Sequence, residues 1–313
     1  MIVSCGEALI DFVPMAGGAG ESGYRPLVGG SPLNVAVAVA RLDRSAGFLA
    51  RLSTDLFGDM IVDHMAANGV DTRHVRRADQ PTTLAFVSLA EGEEPQYAFF
   101  AENSADRNLA PGDIAADLGD DVTCLHFGSF SLAIEPSGST LGGLMASEHG
   151  RRVIALDPNI RPTLIPDKAA FTRRLEGWLP LVDIVKVSRA DLDWLYPGED
   201  WRAIAARWRE AGPALVVVTL GADGAHALGG FGETAVAGRP VEVVDTVGAG
   251  DTFHAGLLAA LDEAGLLTPA RLHETTAEAA AAALDWGVRA SALTCARAGA
   301  DPPERAAVAA LSD

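Results

Sequence analysis

Short apolar, β-branched runs punctuate the later two thirds of the chain: Val122 to Phe127, Val153 to Leu156, Ile184 to Val187, Leu215 to Val218 and Val241 to Val244. Near-continuous apolarity over so few residues predicts strands buried on both faces, as in parallel sheets. Between them, 169–179, 192–211 and 251–264 repeat apolar side chains at helical spacing. This alternation predicts an α/β protein with a mainly parallel, doubly wound sheet in a three-layer αβα sandwich. Val35 to Leu42 alternates like a strand, yet Ser31 placed as N-cap, Pro32 at the first helical position and the alanine-rich continuation favour a helix. The alanine-rich 278–284 stretch reads as a packed helix.

Two stretches, about 11–29 and 82–101, fall outside the alternation. Thr83 to Leu89 and Tyr97 to Phe100, separated by Glu91-Gly92-Glu93-Glu94-Pro95, predict a β-hairpin with a charged turn. They are expected to form a small β-sheet lid on one domain spanning 1–313, with 16–23 a flexible turn rather than a boundary. A lid excludes water from a reacting site. Each strand candidate ends in polar residues: Ser129 and Ser131, then Asp157-Pro158-Asn159-Ile160-Arg161, then Lys186 and Ser188, then Thr219 and Gly221, then Asp245. Ligands of open α/β sheets bind at the carboxyl ends of strands, so these clusters are expected to share one cleft.

Charge changes the picture of partners. Formal net charge is −18, which disfavours nucleic acid and anionic membrane. The same field repels ATP, so a nucleotide site needs backbone donors, a few cations and Mg²⁺ for compensation. No stretch approaches the ~18 apolar residues of a membrane span, and the first residues lack a basic leader, so a cytoplasmic location is expected. Cys5, Cys124 and Cys295 form no CxxC pair and are expected as reduced thiols. The seven histidines show no i, i+4 or carboxylate-backed metal spacing, which favours structural or surface roles.

The most informative stretch is Asp245-Thr246-Val247-Gly248-Ala249-Gly250-Asp251-Thr252-Phe253, which predicts a strand end, a glycine turn and a helix start. Small residues let backbone N–H groups crowd a ligand, and a helix N-terminus carries roughly half a positive charge, so the turn suits phosphate. Asp251 in its midst is either an N-cap or a base that deprotonates an alcohol attacking that phosphate; its setting favours the base. No G-x-x-x-x-G-K-[ST] loop occurs, and Phe253 spoils a G-x-G-x-x-G fingerprint, so the phosphate site is of another type. Gly29-Gly30-Ser31-Pro32-Leu33-Asn34 is either a tight turn with a capping asparagine or a close-approach loop, where Asp11 and Asn34 bind sugar hydroxyls. Arg161 is either a surface ion-pair partner or a ligand contact, and Lys186, ending an apolar run, is placed to meet nucleotide phosphates.

Together, Gly29 to Asn34 and Asp245 to Phe253 resemble the two signatures of the ribokinase-like (PfkB) carbohydrate kinase family. The segments 5–11, 157–162 and 294–300 are most similar to bacterial fructokinases. The resemblance implies an ATP-dependent sugar kinase, with Asp251 activating the sugar hydroxyl and the amides of Gly248, Ala249 and Gly250 stabilising the transferring phosphoryl. Asp11, Gly29, Gly30, Asn34, Phe99 and Arg161 would contact sugar. Thr219, Gly221 and Gly224 would border ATP, with Lys186 and Ser188 near its phosphates. The carbonyls around Val247, Thr294 and Gly299, with Asp245, would form a monovalent-cation (K⁺) site, and Mg²⁺ would bridge phosphates. Where relatives often carry Asn-x-x-Glu near the Mg²⁺ water shell, this chain has Ser188-Arg189-Ala190-Asp191, so Asp191 keeps the carboxylate but shortens its reach. Ala101 stands where ketodeoxygluconate kinases place an arginine, favouring a neutral sugar. Fructose phosphorylated at its 6-hydroxyl is the expected reaction. The alternatives are ribokinase, 2-keto-3-deoxygluconate kinase, a nucleoside kinase, or a non-catalytic sugar-binding relative. The resemblance also allows a homodimer joined through the lid.

Overall fold

The structure is a computed structural model that describes residues 1–16, 22–88 and 96–311. Its main sheet is built from β1 (Ile2–Cys5), β4 (Ala46–Ser53), β5 (Asp71–Ala78), β8 (Cys124–Gly128), β9 (Val153–Asp157), β10 (Ile184–Ser188), β11 (Leu215–Thr219), β12 (Ala225–Gly229) and β13 (Gly232–Val236). The order is β13-β12-β11-β10-β9-β8-β1-β4-β5, and every neighbouring pair is parallel except those made by β12. A second sheet, ordered β3-β2-β6-β7, comprises β2 (Leu9–Ala16), β3 (Ser22–Gly29), β6 (Leu84–Ser88) and β7 (Gln96–Phe100).

Successive side chains of a strand point to opposite faces, and here both faces are apolar. Val185, Val187, Val216 and Val218 pack with α3 (Ser137–Glu148), α4 (Lys168–Trp178), α5 (Arg189–Leu195) and α6 (Trp201–Ala211) through Leu141, Leu175, Leu192 and Trp208. Ile184, Leu215 and Val217 pack on the other side with α1 (Ser31–Arg41), α7 (Ala249–Glu263) and α9 (Ala277–Cys295) through Val39, Leu257 and Leu284. α2 (Leu56–Ala67) covers β4, and the short α8 (Pro269–Leu272) and α10 (Arg305–Ala310) complete the chain. The three-layer expectation therefore holds. Among the described residues no helix is long and apolar enough to cross a membrane.

Three local expectations need correction. The stretch 192–211 is two helices, because Tyr196-Pro197-Gly198 interrupts it and a proline in a helix interior removes a hydrogen bond and clashes with the preceding turn. Val241 to Val244 forms no strand: β12 and β13 already extend that edge of the sheet, and the N–H groups of Val244 and Asp245 donate to the Cys295 carbonyl instead. Ser31 does not cap α1. Gly30 occupies that position, so the hydroxyl is free to act elsewhere. The hairpin expected from 83–89 and 97–100 is present as β6 and β7, paired antiparallel, while its charged turn at 91–95 lies outside the described residues, as does most of 16–23. His126 and His254 form a buried edge-on pair at 4.7 Å, and burial lowers both ring pKa values.

Candidate active site

The strand ends, the α1 start and the α7 start converge. Asp251 is the third residue of α7, whose N-cap is Gly248 in the left-handed conformation, so Asp251 is not the cap. It is 5% exposed. Three side chains donate to its carboxylate: Ser31 Oγ at 2.7 Å and Asn159 Nδ2 at 3.2 Å to Oδ1, and Asn34 Nδ2 at 2.8 Å to Oδ2. Ser31 and Asn34 stand in the first turn of α1, and α1 packs against α7. A residue expected to cap one helix thus serves the carboxylate of another. The first-turn amides of a helix lack intrahelical partners, and here that of Ala249 turns to the Thr246 carbonyl at 3.2 Å.

Two cavities meet at this turn. One, of about 630 Å³, is lined by Asp251 and by Asp11, Gly30, Asn34, Phe99, Arg161 and Gly248 among the expected residues, joined by Glu7, Ser31, Ser129 and Asn159. The other, of about 560 Å³, is lined by Thr219, Gly221, Gly224 and Ala249, with apolar walls from Val241, Val243, Phe253 and Val288. Thr246 and Gly250 line both. The β-branched run at 241–244, read from sequence as a strand, is instead part of a cavity wall, which accounts for its apolar character away from the sheet. Gly29 lines neither cavity, but a Cβ there would overlap the Asp11 carboxylate, so its lack of a side chain gives Asp11 room.

Electrostatics separate the carboxyls of the first cavity. Burial pushes the Asp11 carboxyl up to about 6, with Arg161 pulling the other way. Glu7 is pushed up to about 7 by burial, against hydrogen bonds from Ser131 and Ser129. Ser131 binds Glu7 Oε2 through both its hydroxyl and its N–H, while Oε1 has no partner among the described residues. Ser129 has φ 63° and ψ −159°, a region almost confined to glycine. Ser129 and Asn159 are expected in the shared cleft only as strand-end polar residues with no stated role, and Glu7 and Ser31 are site residues that sequence reasoning misses. Glu7 lies inside the segment 5–11 and Ser31 inside Gly29 to Asn34, which is the available signal, whereas the backbone strain at Ser129 has no signal in the sequence.

Other expected residues lie behind the cavities. Lys186 is buried at 3% exposure and pairs with Asp157 at 2.8 Å, and a Cβ on Gly250 would come 3.2 Å from its Nζ. Burial opposes its charge, but the carboxylates of Asp157, Asp191 and Asp251 outweigh that and raise its pKa. Ser188 and Asp191 form a capping box at the start of α5, and Asp191 Oδ1 also accepts the Ile160 N–H at 3.0 Å, pinning the 157–161 loop. Asp245 joins two loops, accepting N–H bonds from Val247 at 3.0 Å and Gly299 at 2.8 Å. Thr294 is fully buried, with its hydroxyl oxygen 3.1 Å from both Thr252 Oγ1 and the Ala290 carbonyl. A further cavity, of about 660 Å³, is lined by Arg51 of β4 and Arg76 and Arg77 of β5 and shares no residue with the other two. Arg51 and Arg77 are engaged there with Asp113 and Asp59.

The model of the pfkB family of carbohydrate kinases matches residues 1–307. The chain belongs to that family. It is 43% identical over 268 residues to a fructokinase of Rhizobium leguminosarum bv. trifolii, an overlap of 86% of this chain and 82% of that one. The fold is similar to that of a Xylella fastidiosa fructokinase with bound ATP, at 29% identity and TM-score 0.90, covering 99% and 97% of the two chains. A double mutant of Vibrio cholerae O395 fructokinase with fructose, ADP and potassium ion bound aligns at 28% identity and TM-score 0.86, covering 99% and 98%. As a pfkB carbohydrate kinase the chain has the expected ribokinase-like sandwich.

Proposed function

We propose that this pfkB kinase is an ATP-dependent fructokinase that transfers the γ-phosphoryl of ATP to the 6-hydroxyl of D-fructose. One observation carries the reading: two cavities share Thr246 and Gly250, and Asp251 lines only the one bordered by Asp11, Asn34 and Arg161. A sugar hydroxyl beside Asp251 faces the turn across which a phosphoryl group arrives from the second cavity. The base accepts the hydroxyl proton while the helix start stabilises the moving negative charge. The apolar walls at Val243, Phe253 and Val288 suit a purine ring. The four-stranded sheet acts as a lid, since Asp11 and Phe99 bring β2 and β7 to the sugar cavity. Kinship with fructokinases supports fructose over ribose or ketodeoxygluconate.

Among the described residues no group of three or more His, Cys, Asp or Glu is arranged to hold a metal. Mg²⁺ prefers phosphate and water oxygens to an all-protein cage, so the nucleotide phosphates would hold it. When bound, Mg²⁺ neutralises phosphate charge. Asp191, whose oxygens already accept from Ser188 and Ile160, would contribute to holding such an ion with its carboxylate charge. The meeting of 245–247 with 294–299 around Asp245 supports a K⁺ site there. The three cysteines are free thiols, in keeping with a cytoplasmic location. Tyr24 and Phe100, both exposed and both edge-on to Phe86, give the lid an outer face through which a homodimer forms.

Coupled ADP release over fructose, ribose, ketodeoxygluconate and a nucleoside tests the assignment. Fructose is expected to turn over best, and Asp251→Ala to lower kcat by ~10²–10⁴-fold. No turnover with any sugar overturns the kinase reading of the site, and turnover of another sugar but not fructose overturns the substrate.

A further inference from the structure

The two oxygens of Asp251 are loaded unequally. Oδ1 accepts from Ser31 Oγ and Asn159 Nδ2, and Asn159 Nδ2 also donates to Ser31 Oγ at 2.6 Å, closing a three-membered ring of contacts. Oδ2 has one partner among the described residues, the Asn34 amide. A carboxylate oxygen offers about two lone-pair sites, so Oδ1 is full and Oδ2 has one open.

The elements holding Oδ1 are themselves held. Asn159 has φ 38° and donates its N–H to Asp157 Oδ1 at 3.2 Å, while the next N–H goes to Asp191. Arg161 Nη1 donates to Asn159 Oδ1 at 2.7 Å, which directs the amide nitrogen toward Ser31 and Asp251. Ser31 is buried on α1 and forgoes capping its own helix. Asn34, by contrast, holds Oδ2 alone and lines the sugar cavity, so its amide can pass to a sugar hydroxyl.

We propose that Ser31 and Asn159 are positioning residues that lock Asp251 through Oδ1 and leave Oδ2 as the atom that receives the proton. This rests on the kinase reading of the site. The sugar O–H proton passes to Oδ2 and the sugar oxygen bonds the γ-phosphorus. The bond from that phosphorus to the bridging oxygen breaks, and ADP leaves with its electron pair.

Steady-state kinetics of Ser31→Ala, Asn159→Gly and the double variant test it, on whichever sugar the wild type turns over fastest. Asn159→Gly keeps a positive φ accessible and so guards against misfolding. Misplacing a reacting group by about 1 Å costs ~10²-fold, so each single variant is expected to lose ~10- to 100-fold in kcat with both KM values nearly unchanged. Because the two donors share one oxygen and touch each other, the double variant falls little below the worse single one. Ser31→Thr, which keeps the hydroxyl, recovers most of the loss. Unchanged kcat, a loss confined to KM, or two losses that simply multiply overturns the proposal. Failure of fructose alone overturns the substrate assignment and leaves these ratios readable, whereas a wild type inactive on every sugar overturns the kinase reading and this inference with it.

Discussion

Lys186→Met isolates what the buried ion pair contributes. The side chains of Lys186 and Asp157 are 4% and 1% exposed and 2.8 Å apart, so neither charge has water to fall back on. Breaking a buried pair from one side costs ~3–5 kcal/mol, because the remaining charge is desolvated and unpaired. Urea unfolding followed by tryptophan fluorescence at pH 7 should therefore show a midpoint lower by roughly 1 M or more, for a slope of ~3 kcal/mol/M. Adding Asp157→Asn removes the stranded charge, keeps an acceptor for the Asn159 N–H, and should return most of the loss. The deficit also depends on pH. Burial already raises the Asp157 carboxyl to about 6 with Lys186 beside it, and losing the cation raises it further. A carboxyl whose folded pKa exceeds its unfolded value binds more protons when folded, so the penalty grows as pH rises and shrinks toward pH 4. The same proteins separate two roles: a lysine that touches ATP phosphates raises KM for ATP in single and double variants alike. A single variant within about 1 kcal/mol of wild type, or a double variant no more stable than the single, would refute burial as the governing effect.

Glu7, raised to about 7 by burial, stabilises the fold fully below its unfolded value near 4.5, and that contribution is lost as pH rises through about 7. Glu7→Gln should flatten a stability change on the order of 3 kcal/mol between those limits, read by thermal unfolding across pH; an unaltered slope contradicts it. Gly248 has φ 76°, and a Cβ there would lie 2.7 Å from that of Ala300. Gly248→Ala should cost ~1–2 kcal/mol from the left-handed backbone alone and lower kcat by shifting the turn, which kinetics with parallel unfolding would detect. Gly256 and Gly287 let α7 and α9 cross closely, since a Cβ on Gly256 would come 2.9 Å from Gly287 Cα. Gly256→Ala should destabilise by ~1–3 kcal/mol, and a neutral result in urea unfolding would show that the helices separate freely.

Periodicity alone set the strands at 153–157, 184–188 and 215–219 and the helices beginning near 168 and 249, because burial on both sheet faces demands unbroken apolar runs. It also placed Asp251 in a phosphate-friendly turn, since glycine and small residues there have a local backbone meaning. It misread Val241 to Val244, because a β-branched run lining a cavity looks the same in one dimension as a strand, and sheet membership depends on which edge is already taken. The partners of Asp251 lay further out of reach. Ser31 and Asn159 are 220 and 92 residues from it along the chain, and local rules make one a helix cap and the other a strand-end polar residue of the cleft with no named partner. Sequence determines what each short segment prefers to be. Only the packing of α1 against α7, and of the 157–161 loop beside them, decided which hydroxyl and which amide hold Oδ1 and which oxygen is left with an open lone pair.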